Sequence, residues 1–128
     1  MAHGKFGTAI NCMDGRVQLP VITWIKEQYH LDYVDMITEP GPDKILAEEG
    51  KETASIKSRV DISVNAHGSD IILIAGHYDC AGNPVSEKKH KAQLNKAIQV
   101  IRSWNLPVGK TIAVWLDKDW QLEIVEEK

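Results

Sequence analysis

Asp70-Ile71-Ile72-Leu73-Ile74-Ala75-Gly76-His77-Tyr78-Asp79-Cys80 is the stretch that decides the fold. Asp70 to Gly76 carries an apolar run without polar alternation, the pattern of a strand covered on both faces, as in a parallel sheet. A histidine follows directly, and a cysteine stands three residues beyond it. In sheets of this kind ligands gather at the carboxyl ends of the strands, so the residues that leave a strand are the first place to seek chemistry.

Working outward, the hydrophobic pattern alternates between strand and helix periods. Phe6 to Asn11 and Tyr33 to Thr38 predict two further strands. Between them, Leu19 to His30 predicts a helix, with Pro20 in its first turn and Ile22, Ile25 and Tyr29 at spacings of three and four. Glu39-Pro40-Gly41-Pro42-Asp43 breaks the second strand. Asp43 is expected to cap a short helical piece, Lys44 to Glu49, ended by Gly50. Thr53 to His67 predicts a helix with Ile56, Val60, Val64 and His67 on one face, stopped by Gly68. Ser86 to Trp104 predicts a long helix with Leu94, Ala97, Ile98, Ile101 and Trp104 inward and with Lys88, Lys89, His90 and Lys91 on a solvated face. Asn83 is a candidate cap for it. Thr111 to Leu116 predicts a fourth strand, paired as a hairpin with Trp120 to Val125 across Asp117-Lys118-Asp119. The expected architecture is α/β: three layers, α/β/α, with a mostly parallel sheet of four strands plus a C-terminal antiparallel strand, in one domain over residues 1–128.

Composition narrows the function. Fifteen basic against 18 acidic residues give a formal net charge of −3, the wrong sign for a nucleic-acid partner. The longest purely apolar run, Ile71 to Ala75, is far short of the roughly 20 residues of a spanning helix, and Met1 to Ile10 has no apolar signal core. A cytoplasmic location is expected. The chain has 2 cysteines, Cys12 and Cys80. In a reducing compartment they invite a metal or reactive-thiol reading, against the plainer one of two small buried hydrophobes. No Cys-x-x-Cys is present for a thioredoxin-like site, and neither cysteine has an arginine six residues on, as a cysteine-phosphatase loop requires.

Both cysteines leave predicted strands. Cys12-Met13-Asp14-Gly15-Arg16 follows the first strand, and His77-Tyr78-Asp79-Cys80-Ala81-Gly82-Asn83 follows the third. If these strands are neighbours, Cys12, His77 and Cys80 converge as two thiolates and one imidazole. That set suits zinc and leaves a fourth position open. Asp79 is expected to accept a backbone amide or to add charge near the metal, and Gly82 to allow a tight turn or close backbone approach. His3, His30, His67 and His90 are expected to be structural.

The combination of Cys-x-Asp-x-Arg with His-x-x-Cys, in this order and 65 residues apart from Cys12 to His77, resembles the β-class carbonic anhydrases. The likeness extends through Asp35 to Gly41 and Ser55 to Gly82, and covers about Phe6 to Val125. It implies a zinc lyase that hydrates carbon dioxide reversibly to bicarbonate by zinc-activated hydroxide. Zn2+ would be held by Cys12, His77 and Cys80, with Asp14 and Arg16 as the family's catalytic aspartate–arginine pair. It also implies a homodimer or higher homo-oligomer. Arg16 would hold Asp14 ionised and off the metal; in some members the aspartate takes the fourth position itself. Three features depart from the family. Ala81 stands where glycine usually follows the second cysteine, the N-terminal arm is short, and the region ahead of Cys12 offers His3, Lys5 and Thr8 rather than a bicarbonate-binding glutamine. Competing expectations are a non-catalytic zinc-binding protein of the same fold, a hydrolase of carbonyl sulfide or carbon disulfide, and a metal-free binding module.

Overall fold

The computed structural model describes residues 4–128, so His3 lies outside the described residues. Nine elements follow in order: β1 (Phe6–Cys12), α1 (Gln18–Tyr29), β2 (Tyr33–Glu39), α2 (Pro42–Ala47), α3 (Thr53–Asn65), β3 (Ile71–His77), α4 (Glu87–Ser103), β4 (Lys110–Leu116) and β5 (Leu122–Glu127). The strands form one sheet in the order β2-β1-β3-β4-β5. The first four run parallel, and β5 is antiparallel to β4 with an irregularity between Ala113 and Val114. No helix among the described residues is long and apolar enough to cross a membrane.

The pleat divides the core. Ile10, Ile37, Ile72, Ile74, Ala113 and Trp115 face α2, α3 and α4, where they meet Leu46, Ile56, Val60, Leu94 and Ile98. Their neighbours Ala9, Leu73, Ala75, Ile112, Val114 and Leu116 face the other way, toward Val21 and Ile25 of α1. All seven residues of β3 are buried, and fully burying each large aliphatic side chain stabilises the fold by about 1.5–3 kcal/mol. The expected three layers are therefore present, unequally filled: three helices on one face, one on the other.

Chain order places the site. From β1 the chain crosses to β2 on one side, and β3 then pairs with β1 on the other, with Ala9 opposite Leu73 and Ile10 opposite Ile74. The β1–β3 seam is the switch point of the sheet, where the loops leaving the two strands diverge and open a crevice. Cys12 and His77 are the last residues of these two strands.

Three expectations of capping and exposure are corrected. Gly41, in the left-handed region at φ 64°, is the residue preceding α2, so Asp43 lies within the first turn and is buried. Ser86 rather than Asn83 caps α4; its extended backbone lets Oγ accept the Lys89 N–H at 3.1 Å. His90 is not on a solvated face. It is 1% exposed and bonded through Nδ1 to Asp43 Oδ2 at 2.6 Å. His67 lies just beyond α3, half-buried, with Nδ1 2.6 Å from Asp35 Oδ2. The hairpin expected at Asp117 to Asp119 is present. Asp117 Oδ1 accepts the N–H groups of Asp119 and Gln121 at 2.9 and 3.0 Å, and Trp120 takes a left-handed backbone at φ 59° before β5 begins at Leu122.

Candidate metal centre

Cys12, His77 and Cys80 come together as expected from the strand order. One donor atom from each lies within 4.8 Å of the others, and all three residues are buried. Asp14 does not join this donor group. The two Sγ atoms are 3.9 Å apart. Two Zn–S bonds of ~2.3 Å meeting at a tetrahedral angle span about 3.8 Å, so the sulfur pair is spaced for one ion. His77 Nδ1 donates to the Tyr78 carbonyl at 2.7 Å. That bond fixes the ring and leaves Nε2, buried and without a hydrogen-bond partner, as the atom free to ligate a metal. A buried polar atom left without a partner costs stability unless something satisfies it, and a metal ion shared with two sulfurs would satisfy this one. The donors fit zinc.

Backbone approach shapes the floor of the site. A Cβ on Gly82 would lie 2.6 Å from the Pro40 carbonyl carbon, so only glycine lets the loop after Cys80 press on the loop after β2. The expectation of close approach at Gly82 holds. Gln18, which sequence reasoning overlooked, reaches back from the start of α1 and donates Nε2 to the carbonyls of Cys12 and Asp14 at 3.0 and 3.1 Å.

The thiols differ in their hold on the proton. A hydrogen bond from Cys80 draws the Cys12 thiol down to about 4, against the opposing effect of burial, with help from His77 and the amides of Gly41 and Asp14. Cys80 is pushed up, because ionising it would cost that same bond, and burial adds to the effect. Burial disfavours a charged His77 ring, but the Cys12 thiolate and the Tyr78 carbonyl outweigh it and raise its affinity for a proton.

Beside the donors, Arg16 grips Asp14 through two N–H groups: Nε to Oδ1 at 3.0 Å and Nη2 to Oδ2 at 2.6 Å. The Arg16 backbone N–H adds a bond to Oδ1 at 2.9 Å. These contacts, the side-chain pair foremost, hold the Asp14 carboxyl down to about 2 and raise Arg16 further above its ordinary range. Asp79, expected to serve a backbone amide or the metal, turns instead to Arg16. Its Oδ2 accepts from Nη1 at 3.3 Å and its carbonyl accepts from Nη2 at 3.1 Å. Trp120 lies under the guanidinium, with Cζ 4.8 Å from the ring centroid, and its ring centroid is 6.2 Å from that of His77. Neither contact leaves a local signal in the sequence.

Residues 2–126 match the family model described as "Putative carbonic anhydrase". The chain belongs to that family. No curated protein matches the sequence. Among solved structures, the carbonic anhydrase from Glaciozyma antarctica superposes with a TM-score of 0.61 at 14% identity, over 93% of this chain and 81% of that one. A structure from a study of two tetrameric β-carbonic anhydrases of the filamentous ascomycete Sordaria macrospora superposes with a TM-score of 0.59 at 12% identity, over 97% of this chain and 81% of that one. At these identities the structures speak to the fold alone, and the fold is that of the β-carbonic anhydrases.

Proposed function

We propose that the chain is a zinc lyase that converts carbon dioxide and water reversibly to bicarbonate and a proton, in one domain over residues 1–128. Cys12, His77 and Cys80 would hold the metal, and Asp14 and Arg16 would serve as the catalytic pair. One observation carries the reading: an unpartnered, buried imidazole nitrogen meets two thiols beside a carboxylate already locked by an arginine. When bound, zinc lowers the pKa of a coordinated water from 15.7 to about 7 and so supplies hydroxide at neutral pH. Asp14 stays ionised throughout the working range. Each carboxylate oxygen carries two lone pairs, so Asp14 retains acceptor capacity beyond its bonds to Arg16 and can orient an O–H group. Arg16 in turn fixes the direction of that carboxylate.

A homo-oligomer fits the surface around the site. Met13, Leu19 and Tyr78 are exposed apolar or aromatic side chains close to the donors in sequence, and the S. macrospora enzymes are tetrameric. The thiol ligands suit a reducing compartment, which supports a cytoplasmic location. Burial of all three donors, each at 4% exposure or less, favours a second reading, a zinc protein of this fold without turnover. Stopped-flow carbon dioxide hydration combined with metal analysis of the same sample decides between them. We expect about one zinc per chain and measurable turnover. Asp14→Ala is expected to keep the metal and lose 10²–10³-fold in rate, on the scale of removing one positioned transition-state partner. Zinc without hydration selects the second reading, or a related substrate if carbonyl sulfide or carbon disulfide is hydrolysed. Absence of a stoichiometric metal removes both.

A further inference from the structure

The geometry points to Asp79 and Trp120 as positioning residues that lock Arg16 onto Asp14 and so keep Asp14 out of the metal's coordination sphere. The inference rests on the metal-site reading above. Left to each other, Asp14 and Arg16 would form a weak latch. Arg16 is 47% exposed, and an exposed ion pair shifts an equilibrium by only about five-fold or less. Yet Asp14 sits two residues from Cys12, close enough along the chain to compete for an open position on an ion held by that sulfur. Something must add to the latch, and two other loops do.

Asp79 offers both its carboxylate and its main-chain carbonyl to the guanidinium, at 3.3 and 3.1 Å. Trp120 closes one face, 4.8 Å from Cζ. The two residues share an unusual backbone: φ is 58° at Asp79 and 59° at Trp120. Left-handed backbone is uncommon for any residue but glycine, and for a bulky one it is a real outlier that persists only where the surroundings impose it. Asp79 belongs to the loop between two of the donors, and Trp120 to the β4–β5 hairpin. Two residues in left-handed backbone, the bulky Trp120 being the outlier, thus converge from separate loops on a single side chain. Arg16 ties the Cys12 loop, the Cys80 loop and the hairpin together, and Asp14 is held by the whole assembly rather than by one exposed pair.

The test uses the full chain loaded with cobalt(II), whose visible spectrum reports its ligands, and azide as a probe of the open position. Azide affinity is read from the spectrum, and cobalt content is measured on each sample. The Asp79→Ala/Trp120→Leu variant is expected to keep about one cobalt and to bind azide about ten-fold more weakly, because losing the charge-assisted hydrogen bonds and the cation–π contact frees Asp14 to compete. Adding Asp14→Ala to that variant should restore azide affinity to that of Asp14→Ala alone. A purely structural defect would not be rescued in this way. Asp79→Ala alone, at an exposed position, should show a smaller loss in the same direction and serves if the double variant does not fold. Unchanged azide affinity, or a loss that Asp14→Ala does not rescue, overturns the inference. Failure of the wild-type chain to take up cobalt overturns the metal-site reading instead, and the two failures are distinct.

Discussion

His77 and His90 are both buried, at 2% and 1% exposure, and each has Nδ1 within hydrogen-bond distance of an oxygen, at 2.7 and 2.6 Å. They do different work. His90 is paired with the buried Asp43, whose other oxygen accepts from Asn83 Nδ2 at 3.2 Å; Asn83 in turn donates to Gln93 Oε1 at 2.7 Å. This network ties α2, the loop after Cys80 and α4 into one unit, with Trp115 of β4 against the imidazole at 5.0 Å between centroids. His77 spends Nδ1 on a neutral backbone carbonyl and presents an unsatisfied Nε2 to two thiols. His90, bonded to a carboxylate within a closed network, serves as a strut; His77 faces two sulfurs with Nε2 unsatisfied, an arrangement that would suit a metal.

The same substitution made at both histidines should separate the roles. His77→Ala is expected to weaken metal binding by at least ~100-fold, beyond the 10–100-fold cost of losing an outer-shell partner, and to abolish hydration. His90→Ala should leave metal stoichiometry intact. If competition with a chelator shows equal metal affinity for wild type and His77→Ala, the contrast between the two sites is wrong.

Stability should show the reverse order. Removing His90 leaves the Asp43 carboxylate buried without its main partner, which costs about 3–5 kcal/mol where a buried pair is broken from one side. Urea unfolding of the metal-free chains measures it. His77→Ala, which deletes a ring whose Nε2 bonds to nothing, should lose clearly less. A smaller loss for His90→Ala than for His77→Ala would mean that the Asp43 network is not a strut.

The two histidines also show what the sequence makes legible. The placement of β1 beside β3 is readable from the alternation of strand and helix periods around the uninterrupted apolar run of β3, and Cys12, His77 and Cys80 can be placed because they leave these neighbouring strands. His90 was misplaced by its company. Lys88, Lys89 and Lys91 mark a wet surface, whereas the helical period was the better guide: His90 stands four residues before Leu94 and seven before Ala97, both buried. Asn83 and Asp43 resembled caps because capping is the usual local use of those side chains. Their partners lie 10 and 47 residues away, as Gln93 and His90, and nothing local encodes such distances. The approach of Asp79 and Trp120 to Arg16 is hidden for the same reason, since three loops must fold before it exists.

The smallest effect concerns protons. Metal binding requires both sulfurs as thiolates and His77 as a neutral ring. Cys12, held down to about 4 by the Cys80 hydrogen bond, has already lost its proton at neutral pH. Cys80 is pushed up and keeps its own, and the raised His77 holds a fraction of one. Zinc uptake by the metal-free chain should therefore release one proton from Cys80 plus the fraction on His77. The share from the protein's own groups should fall toward one as pH rises past the His77 titration, while the zinc-bound water adds up to one more as it ionises at about pH 7. Apparent affinity should then increase about 100-fold per pH unit at alkaline pH, about ten-fold for each proton that leaves with the ion. Below about pH 4 Cys12 is protonated as well, so affinity should fall more steeply there. Calorimetry in buffers of different ionisation enthalpy counts the protons directly. Among the described residues the His90 cluster forms no metal-donor group, so His90→Ala should leave the count unchanged. Three protons released at pH 9, two beyond the one from the zinc-bound water, would show that both thiols enter protonated, and the unequal sharing of one proton between Cys12 and Cys80 would have to be abandoned.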